Sequence, residues 1–347
     1  MTAVRQGGPR AVTLREVAAH AGVSVATASQ ALAGRGRMTS ATRERVGRSA
    51  ETLGYVPNAL ARGLRTGRTH AIGVHHQNAA QALGTSYFRD FLAGTIEAAH
   101  AHDHDVAVLS SNTAEPRRTA PRVDGVIVTD PISDDTRARE LMESRLPVVA
   151  GEHLPAGLPP SAVVAVDHAA AVREILDDAS RRGARVPLLV APDANSGWGD
   201  LLRSTVAAWC ANRGLAPVQV ESRFGDVAVD DHRHRLAPVL AGRPDVDLVL
   251  ASSSWEALGA LAALRAAGRE PGRDVLLAAC ADTPALSDGD VAVTAVELPA
   301  LALGRACAER LLELLEDDGG PHAGAGTVLT VPTVVHHRAS TACLLRH

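Results

Sequence analysis

Short apolar runs alternate with longer stretches of helical periodicity from residue 71 onward, and this alternation restricts the fold more than any other sequence feature. The strand-like runs occupy 71–74, 105–110, 123–129, 147–150, 162–166, 186–191, 246–252 and 274–280. Amphipathic stretches such as YFRDFLAGTIEAAHAH and WEALGALAALRAAG lie between several of them. Short buried strands that alternate with helices indicate parallel sheets covered on both faces. The pattern therefore predicts an α/β domain of two doubly wound lobes.

A segment near the N-terminus predicts a second, all-helical unit. Thr13 is placed as the N-cap of a helix with apolar residues at helical spacing. Gly22 then permits a tight turn, Ser24 caps a second helix, and Thr39 or Ser40 caps a third. Two short helices joined by a glycine-containing turn predict a helix-turn-helix motif. The alternative is a helical cap on the larger domain.

Charge separates these two regions. Residues 1–68 carry 11 arginines and three glutamates, a net charge of +8, whereas the remainder carries a net charge of −12. This asymmetry indicates that the first region faces a polyanion, and a solvated basic tail is the alternative. All 35 basic residues are arginine and alanine is abundant, which suggests GC-rich coding, so arginine content alone says little about function.

Several classes of protein are disfavoured by the sequence. The longest apolar runs have about ten residues, too few to span a bilayer, and MTAVRQGGPR has no signal-peptide core. We therefore expect a cytoplasmic protein with no membrane partner. The four cysteines lie far apart and are expected to be buried free thiols. No glycine-rich phosphate loop or metal-ligand spacing occurs, so we expect no cofactor and no metal.

The segments TLREVAAHAGVSVATASQALAG and TSATRERVGRSAETLGYVPNALARGLRTGRTHAIGV resemble the DNA-binding headpiece and hinge of the LacI/GalR (lactose-repressor) family. The likeness runs over 12–74 and includes the family's signature at Gly54, Tyr55, Pro57 and Asn58. Later segments, among them LPVVAGE and VPTVVHHRAST, resemble the family's periplasmic-binding-protein-like effector domain. The resemblance implies a helix-turn-helix headpiece followed by an α/β effector domain of two doubly wound lobes.

The resemblance also implies domain boundaries. The expected domains are a disordered tail at 1–10, the DNA-binding domain at 11–56, a hinge helix and linker at 57–69, and an effector-binding and dimerisation domain at 70–347. Within the last, lobe one is expected at about 70–165 and 294–325, and lobe two at about 166–293 and 326–341. The sequence shows no long leucine-heptad tail, so a homodimer is expected rather than a tetramer.

The family pattern assigns DNA-binding roles to the headpiece and the hinge. The second helix would lie in the major groove, where its outward residues reach base edges and nearby hydroxyls contact phosphates. The base-reading candidates are Val25, Ala26, Ser29 and Gln30, the phosphate candidates are Thr27, Thr39, Thr42 and Tyr55, and the other DNA-binding candidates are Thr13, Ser24, Asn58, Ala61 and Leu64. Leu64 occupies the family's intercalating position, with ordinary packing as the alternative.

A ligand of such a fold lies between the lobes, beyond the carboxyl ends of the strands. The effector-binding candidates found there are His76, Gln77, Tyr87, Asp130, Glu152, Trp198, Asp200, Ser254, Trp255 and Asp282. In several relatives a carboxylate at the position of Glu152 binds effector hydroxyls, and the two tryptophans are suited to stacking on a sugar or another flat ligand.

Departures from the family pattern concern the ligand. Sugar-binding relatives usually carry Asn-Asp where this chain has Ser253 and Ser254, and an arginine near Leu201, with Arg203 two residues further on. A hexose is therefore not assumed as effector. The connection between Ser111 and Val123 is also unusually short.

The sequence favours a dimeric, nucleoid-associated transcription regulator, most simply a repressor, whose affinity for a palindromic DNA operator responds to a small polar metabolite. The alternatives are a cytosolic enzyme and a small-molecule-binding protein that use the cleft between the lobes. Fifteen histidines invite the enzyme hypothesis, but no nucleophile–base pair or metal spacing accompanies them. The attached headpiece disfavours a solute receptor.

Overall fold

The computed structural model describes residues 12–32, 34, 36–55, 68–110, 122–193, 195–223, 225, 228–317 and 328–342. The chain separates into two compact units, Met1–Thr69 and His70–His347, called here the headpiece and the body. The predictions for the tail at 1–10, for Asn58, Ala61 and Leu64, and for the short connection at 111–121 lie outside the described residues. Within the described segments, no helix is both long enough and apolar enough to cross a membrane.

The headpiece contains three helices, α1 (Leu14–Ala21), α2 (Val25–Leu32) and α3 (Ser40–Leu53). Thr13 and Glu16 form a reciprocal capping box at the start of α1, and Gly22 ends this helix in the left-handed region at φ 63°. The small core consists of Val17, Ala18, Ala21, Ala28, Ala31, Val46 and Ala50. Because most of these side chains are alanine, the three helices can approach one another closely.

The described part of the body contains twelve strands in two sheets. They are β1 (Ala71–His76), β2 (Asp105–Ser110), β3 (Gly125–Thr129), β4 (Val148–Gly151), β5 (Ala162–Val166), β6 (Pro187–Pro192), β7 (Val218–Ser222), β8 (Leu248–Ala251), β9 (Leu276–Ala279), β10 (Thr294–Glu297), β11 (Val328–Val331) and β12 (Val334–His336). The sheet of lobe one has the order β11-β5-β4-β3-β1-β2, and that of lobe two the order β12-β10-β9-β8-β6-β7. All pairings are parallel except β10 with β12.

Helices cover both sheets. They are α4 (Ala79–Ala82), α5 (Ser86–Ala101), α6 (Thr136–Met142), α7 (His168–Arg181), α8 (Gly197–Ala211), α9 (Val229–Gly242), α10 (Ser254–Ala266), α11 (Pro284–Ser287) and α12 (Ala300–Glu316). In lobe one, α5 and α12 pack backbone against backbone, because a Cβ on Gly94 would overlap the carbonyl of Leu301 and one on Gly304 that of Phe91. This contact fixes two helices beneath the strand ends of lobe one.

Two strands lie in the opposite lobe from the one that the expected boundaries imply. Those boundaries place 294–297 in lobe one and 328–331 in lobe two. β10 instead pairs with β9 and β12, and β11 pairs with β5. The boundaries are wrong at these strands because the chain changes lobe after each strand: α12 returns to lobe one between them and packs against α5.

Candidate functional site

The second helix of the headpiece presents an exposed face. Val25, Ala26 and Gln30 are exposed, and Val25 keeps 44% of its surface uncovered although it is apolar. Ser29 is partly exposed beside them, while Ala28 on the opposite side is buried in the core. The helix therefore offers side chains of different chemistry for contact with another molecule.

Paired hydroxyls lie at the starts of α2 and α3. The Ser24 hydroxyl accepts from the backbone N–H of Thr27 at 3.0 Å, and their hydroxyls lie 2.8 Å apart. Thr39 and Thr42 repeat this arrangement with hydroxyls 2.9 Å apart. The N-terminus of α1 differs, because it already holds the carboxylate of Glu16. Of the three headpiece helices, α2 and α3 are thus the two whose N-termini are suited to an approaching anion.

Gln30 and Tyr55 have local contacts that restrict them. The side chain of Gln30 folds over Gly36, since a Cβ there would lie 2.8 Å from Gln30 Oε1. Tyr55 is partly buried and packs against the core of the headpiece. Gln30 must therefore move away from Gly36 to extend outward.

Two predicted effector residues stand side by side at the carboxyl edge of lobe one. Asp130 follows β3 and Glu152 follows β4. Thr129 pairs with Gly151 in parallel register, and the Asp130 N–H donates to the Gly151 carbonyl at 3.0 Å. Because neighbouring strands lie about 5 Å apart, two carboxylates meet at this edge. Both residues have positive φ, 47° for Asp130 and 111° for Glu152.

Glu152 is a buried carboxylate with one hydrogen-bond donor. Only 4% of its surface is exposed. His168 Nε2 donates to Glu152 Oε1 at 3.2 Å, whereas Glu152 Oε2 is buried and has no partner among the described residues. His168 Nδ1 likewise has no partner among the described residues.

The neighbouring carboxylate of Glu152 affects the pKa of Asp130. Burial, reinforced by the negative charge of Glu152, raises the pKa of Asp130 to about 7. The Thr129 hydroxyl donates to Asp130 at 3.2 Å and His76 Nε2 lies 3.9 Å away, and both are weak counterparts for a carboxylate. Burial, then the charge of His75, lowers the pKa of His76 to about 4, so this imidazole is neutral at physiological pH.

Tyr87 and Cys307 adjoin the same pair of acids. Burial raises the pKa of both groups well above their ordinary values, and the charges of Asp130 and Glu152 add to the effect. Sequence reasoning named Tyr87 but missed Cys307. We call Tyr87, Asp130, Glu152 and His168 the cleft cluster.

His168 was also missed by sequence reasoning, although a signal was available. It follows the strand-like run at 162–166 by two residues and begins α7, with Asp167 as N-cap. Its ring lies 5.7 Å from that of Trp198 in α8 and so joins an acid of lobe one to an aromatic residue of lobe two. Following every predicted strand outward, including this one, would have found it.

The two lobes touch directly beside the cluster. Ile132 and Ser196 form an isolated antiparallel bridge, and the Ser133 N–H donates to the Asn195 carbonyl at 2.8 Å. Gly197 packs so closely on the backbone of Leu154 that a Cβ would overlap it. The cleft therefore has a closed side.

The lobe-two candidates are engaged elsewhere. Asp200 is exposed and pairs with Arg203 at 2.6 Å, and both residues line a separate surface cavity of about 560 Å³. Asp282 accepts two hydrogen bonds from Arg338. Arg203 also donates to the Pro192 carbonyl, so it does not replace the arginine of sugar-binding relatives.

The remaining candidates have fewer polar contacts. Ser254 is buried and Trp255 is 39% exposed at the start of α10, and Gln77 is exposed after β1. Among the described residues, no hydrogen bond, ion pair or ring contact joins Ser254 or Trp255 to the cleft cluster. No group of three or more His, Cys, Asp or Glu in the described segments has the arrangement of a metal site.

A second buried glutamate, Glu256, was missed as well. It is 3% exposed and its carboxylate accepts from the hydroxyl of Ser222, from the N–H and hydroxyl of Ser252, and from the N–H of Ser253. Its signal is the capping-box spacing from Ser253. Glu256 thus ties β7 and β8 to the start of α10.

Comparison with known proteins agrees with both parts of this architecture. Residues 13–58 match the family described as bacterial regulatory proteins, lacI family, and residues 181–341 match the periplasmic binding protein-like domain. The HTH-type transcriptional regulator CelR of Thermobifida fusca is 29% identical over 314 residues, which cover 88% of this chain and 92% of CelR. The chain thus carries a lacI-family segment at 13–58 and is similar to the regulator CelR over most of its length.

Solved structures of LacI-family proteins share the fold. The lac repressor dimer bound to operator and an anti-inducer superposes with a TM-score of 0.76 at 20% identity and covers 96% of this chain and 99% of its own. A CelR–cellobiose complex gives 0.67 at 24% identity and covers 95% and 99%. The helix-turn-helix headpiece and the two-lobed α/β body predicted from the sequence are confirmed.

Proposed function

We propose that this LacI-family regulator binds a palindromic operator as a homodimer and represses transcription. Its affinity for DNA falls or rises when a small polar metabolite binds its body. The carrying observation is the exposed face of α2 on a headpiece whose segment 1–68 has a net charge of +8. A positive surface binds phosphates, and side chains on a helix in the major groove read bases. This role involves no catalysis and places the protein at the nucleoid in the cytoplasm.

The DNA contacts divide into reading and positioning. Val25, Ala26, Ser29 and Gln30 on α2 read base edges in this proposal. The hydroxyl pairs at the starts of α2 and α3 position the headpiece on phosphates, together with Tyr55. The hinge residues Asn58, Ala61 and Leu64 contact the minor groove, and Leu64 wedges into a base step.

The effector site is proposed at the cleft cluster. CelR, the relative named above, has been solved with cellobiose, which supports a small-molecule ligand in the corresponding fold. Ligand binding between the lobes shifts their equilibrium, and this shift is coupled to hinge-helix formation and hence to operator affinity.

The DNA-binding part is tested with duplexes selected from a randomised pool. We expect an enriched inverted repeat whose affinity falls steeply between 50 and 200 mM salt, by about tenfold or more, because several phosphates are neutralised. Gln30→Ala should weaken binding to the repeat but not to a scrambled duplex. Thr52→Ala, an exposed change on α3, is the matched control and should alter neither. Failure to enrich any repeat, or salt-independent binding, contradicts the proposal.

A further inference from the structure

The cleft cluster holds two carboxylates, and no arginine of the described residues pairs with them. Asp130 and Glu152 lie on neighbouring strand ends, and no arginine of the described residues forms an ion pair with either. Their polar neighbours are two imidazoles: His168 Nε2 donates to Glu152 Oε1 at 3.2 Å, and His76 Nε2 lies 3.9 Å from Asp130 Oδ2. Two carboxylates are thus held together at the edge of an apolar core.

Glu152 is the stronger indicator of a missing partner. Only 4% of the surface of Glu152 is exposed, and its Oε2 atom has no hydrogen-bond donor among the described residues. An unpaired buried carboxylate oxygen costs free energy that the fold must supply elsewhere. A carboxylate with a purely structural role is expected to have donors for both oxygen atoms, as Glu256 has with its four donors.

The cluster also has aromatic walls. Tyr87 lies beside both acids, and Trp198 is placed next to them through its ring contact with His168. Aromatic faces attract organic cations, and an ammonium group supplies three N–H donors in a small volume. A hydroxyl supplies one donor and no charge.

We propose that the effector of this protein carries a protonated amine, which donates to Glu152 Oε2 and lies between the carboxylates of Glu152 and Asp130. This inference rests on the proposed function, because it names the ligand class for the same cleft. The ligand class is a hydroxylated organic amine. The missing sugar-clamping arginine and Asn-Asp pair agree with a ligand other than a neutral hexose.

Three matched pairs of probes test the proposal: sorbitol and 1-amino-1-deoxysorbitol, glucose and glucosamine, cellobiose and the fully deacetylated chitosan disaccharide. In each pair an amine replaces a hydroxyl, at one position in the first two pairs and at both 2-positions in the disaccharide. Calorimetry with the full chain at pH 7 should show at least tenfold tighter binding for the amine in one pair or more. Equal or tighter binding of the hydroxyl member in every pair, or no binding by any amine, overturns the proposal.

Variants connect the preference to Glu152. Glu152→Gln should abolish the amine preference, and Glu152→Asp, which keeps the charge, should restore part of it. Without ligand, Glu152→Gln should raise the melting temperature because it removes the repulsion between the neighbouring carboxylates of Glu152 and Asp130. A lowered melting temperature together with an unchanged amine preference means that Glu152 is structural and overturns the inference.

The outcomes separate this inference from the proposed function. If a neutral sugar binds and changes operator affinity while amines do not, the regulator function stands and the amine inference is wrong. If amines bind but no operator is found by selection, the regulator function is wrong and the ligand class stands.

Discussion

Each lobe buries one glutamate at the edge of its sheet, and the two carboxylates differ in the number of hydrogen bonds that they accept. Glu256 in lobe two accepts four hydrogen bonds, whereas Glu152 in lobe one accepts one and keeps an oxygen atom without a partner. Their exposures, 3% and 4%, are nearly equal. The two glutamates therefore differ in the number of their hydrogen-bond donors and not in their burial.

The surrounding acids follow the same division. In lobe two, Asp282 is held by Arg338, and this hydrogen bond is the main cause that raises the pKa of Arg338. In lobe one, Asp130 has only a hydroxyl and a distant imidazole. Glu256 and Asp282 of lobe two thus join secondary structure elements, whereas Glu152 and Asp130 of lobe one have fewer donors.

The largest expected effect concerns Asp130. Its pKa is raised from 3.8 to about 7, so ionisation destabilises the fold as pH rises from 4 through 7. Asp130→Asn removes this cost. We expect no difference from wild type near pH 4 and a gain of up to about 4 kcal/mol in unfolding free energy by pH 8, at about 1.4 kcal/mol for each pKa unit.

Urea unfolding at pH 5, 6, 7 and 8 measures this effect. The three tryptophans, Trp198, Trp209 and Trp255, all lie in lobe two, so their fluorescence reports the body and not the headpiece. The ionisable groups that face Asp130 are Glu152, His168, His76, Tyr87 and Cys307. A gain that does not change with pH would show that Asp130 is not the titrating group.

The next largest effect on the unfolding free energy is expected at Glu256, the glutamate whose carboxylate has four donors. Glu256→Gln places an amide where four donors point at a carboxylate, so at least one donor loses its acceptor. We expect a loss of about 3 kcal/mol, because unpaired buried donors cost roughly 1–3 kcal/mol each. Ser222→Ala removes one donor and should cost less. Tryptophan-monitored unfolding checks both variants, and a stabilised Glu256→Gln protein would remove the distinction between the two glutamates.

A smaller effect is expected at Arg338. Arg338→Met keeps much of the side-chain volume but leaves Asp282 without its cation, and both groups are only partly exposed. We expect a loss of about 1–2 kcal/mol that shrinks at high salt. Asp200→Asn, which breaks an exposed pair with Arg203, is the matched control and should change stability by less than about 1 kcal/mol. Equal losses in both variants would contradict the ranking.

Sequence reasoning located strands where apolar residues are continuous and failed where they are not. All eight predicted strand-like runs form strands. The missed strands include β7, in which exposed and covered residues alternate, and β11 and β12, which are largely exposed at sheet edges. Edge strands need fewer apolar residues, so their sequences resemble loops. β10 is short and was assigned to the wrong lobe because pairing is not visible in sequence.

The sequence by itself determined the two-unit organisation, the resemblance of the headpiece to the LacI family and the chemical type of each candidate, because periodicity, turn glycines and the headpiece signature are local in the chain. The tertiary structure decided which of those candidates are available. Glu256 accepts from Ser222, 34 residues earlier, and Glu152 meets His168, 16 residues later. Whether a buried carboxylate has enough donors depends on residues that only folding brings together, and no local pattern records that number.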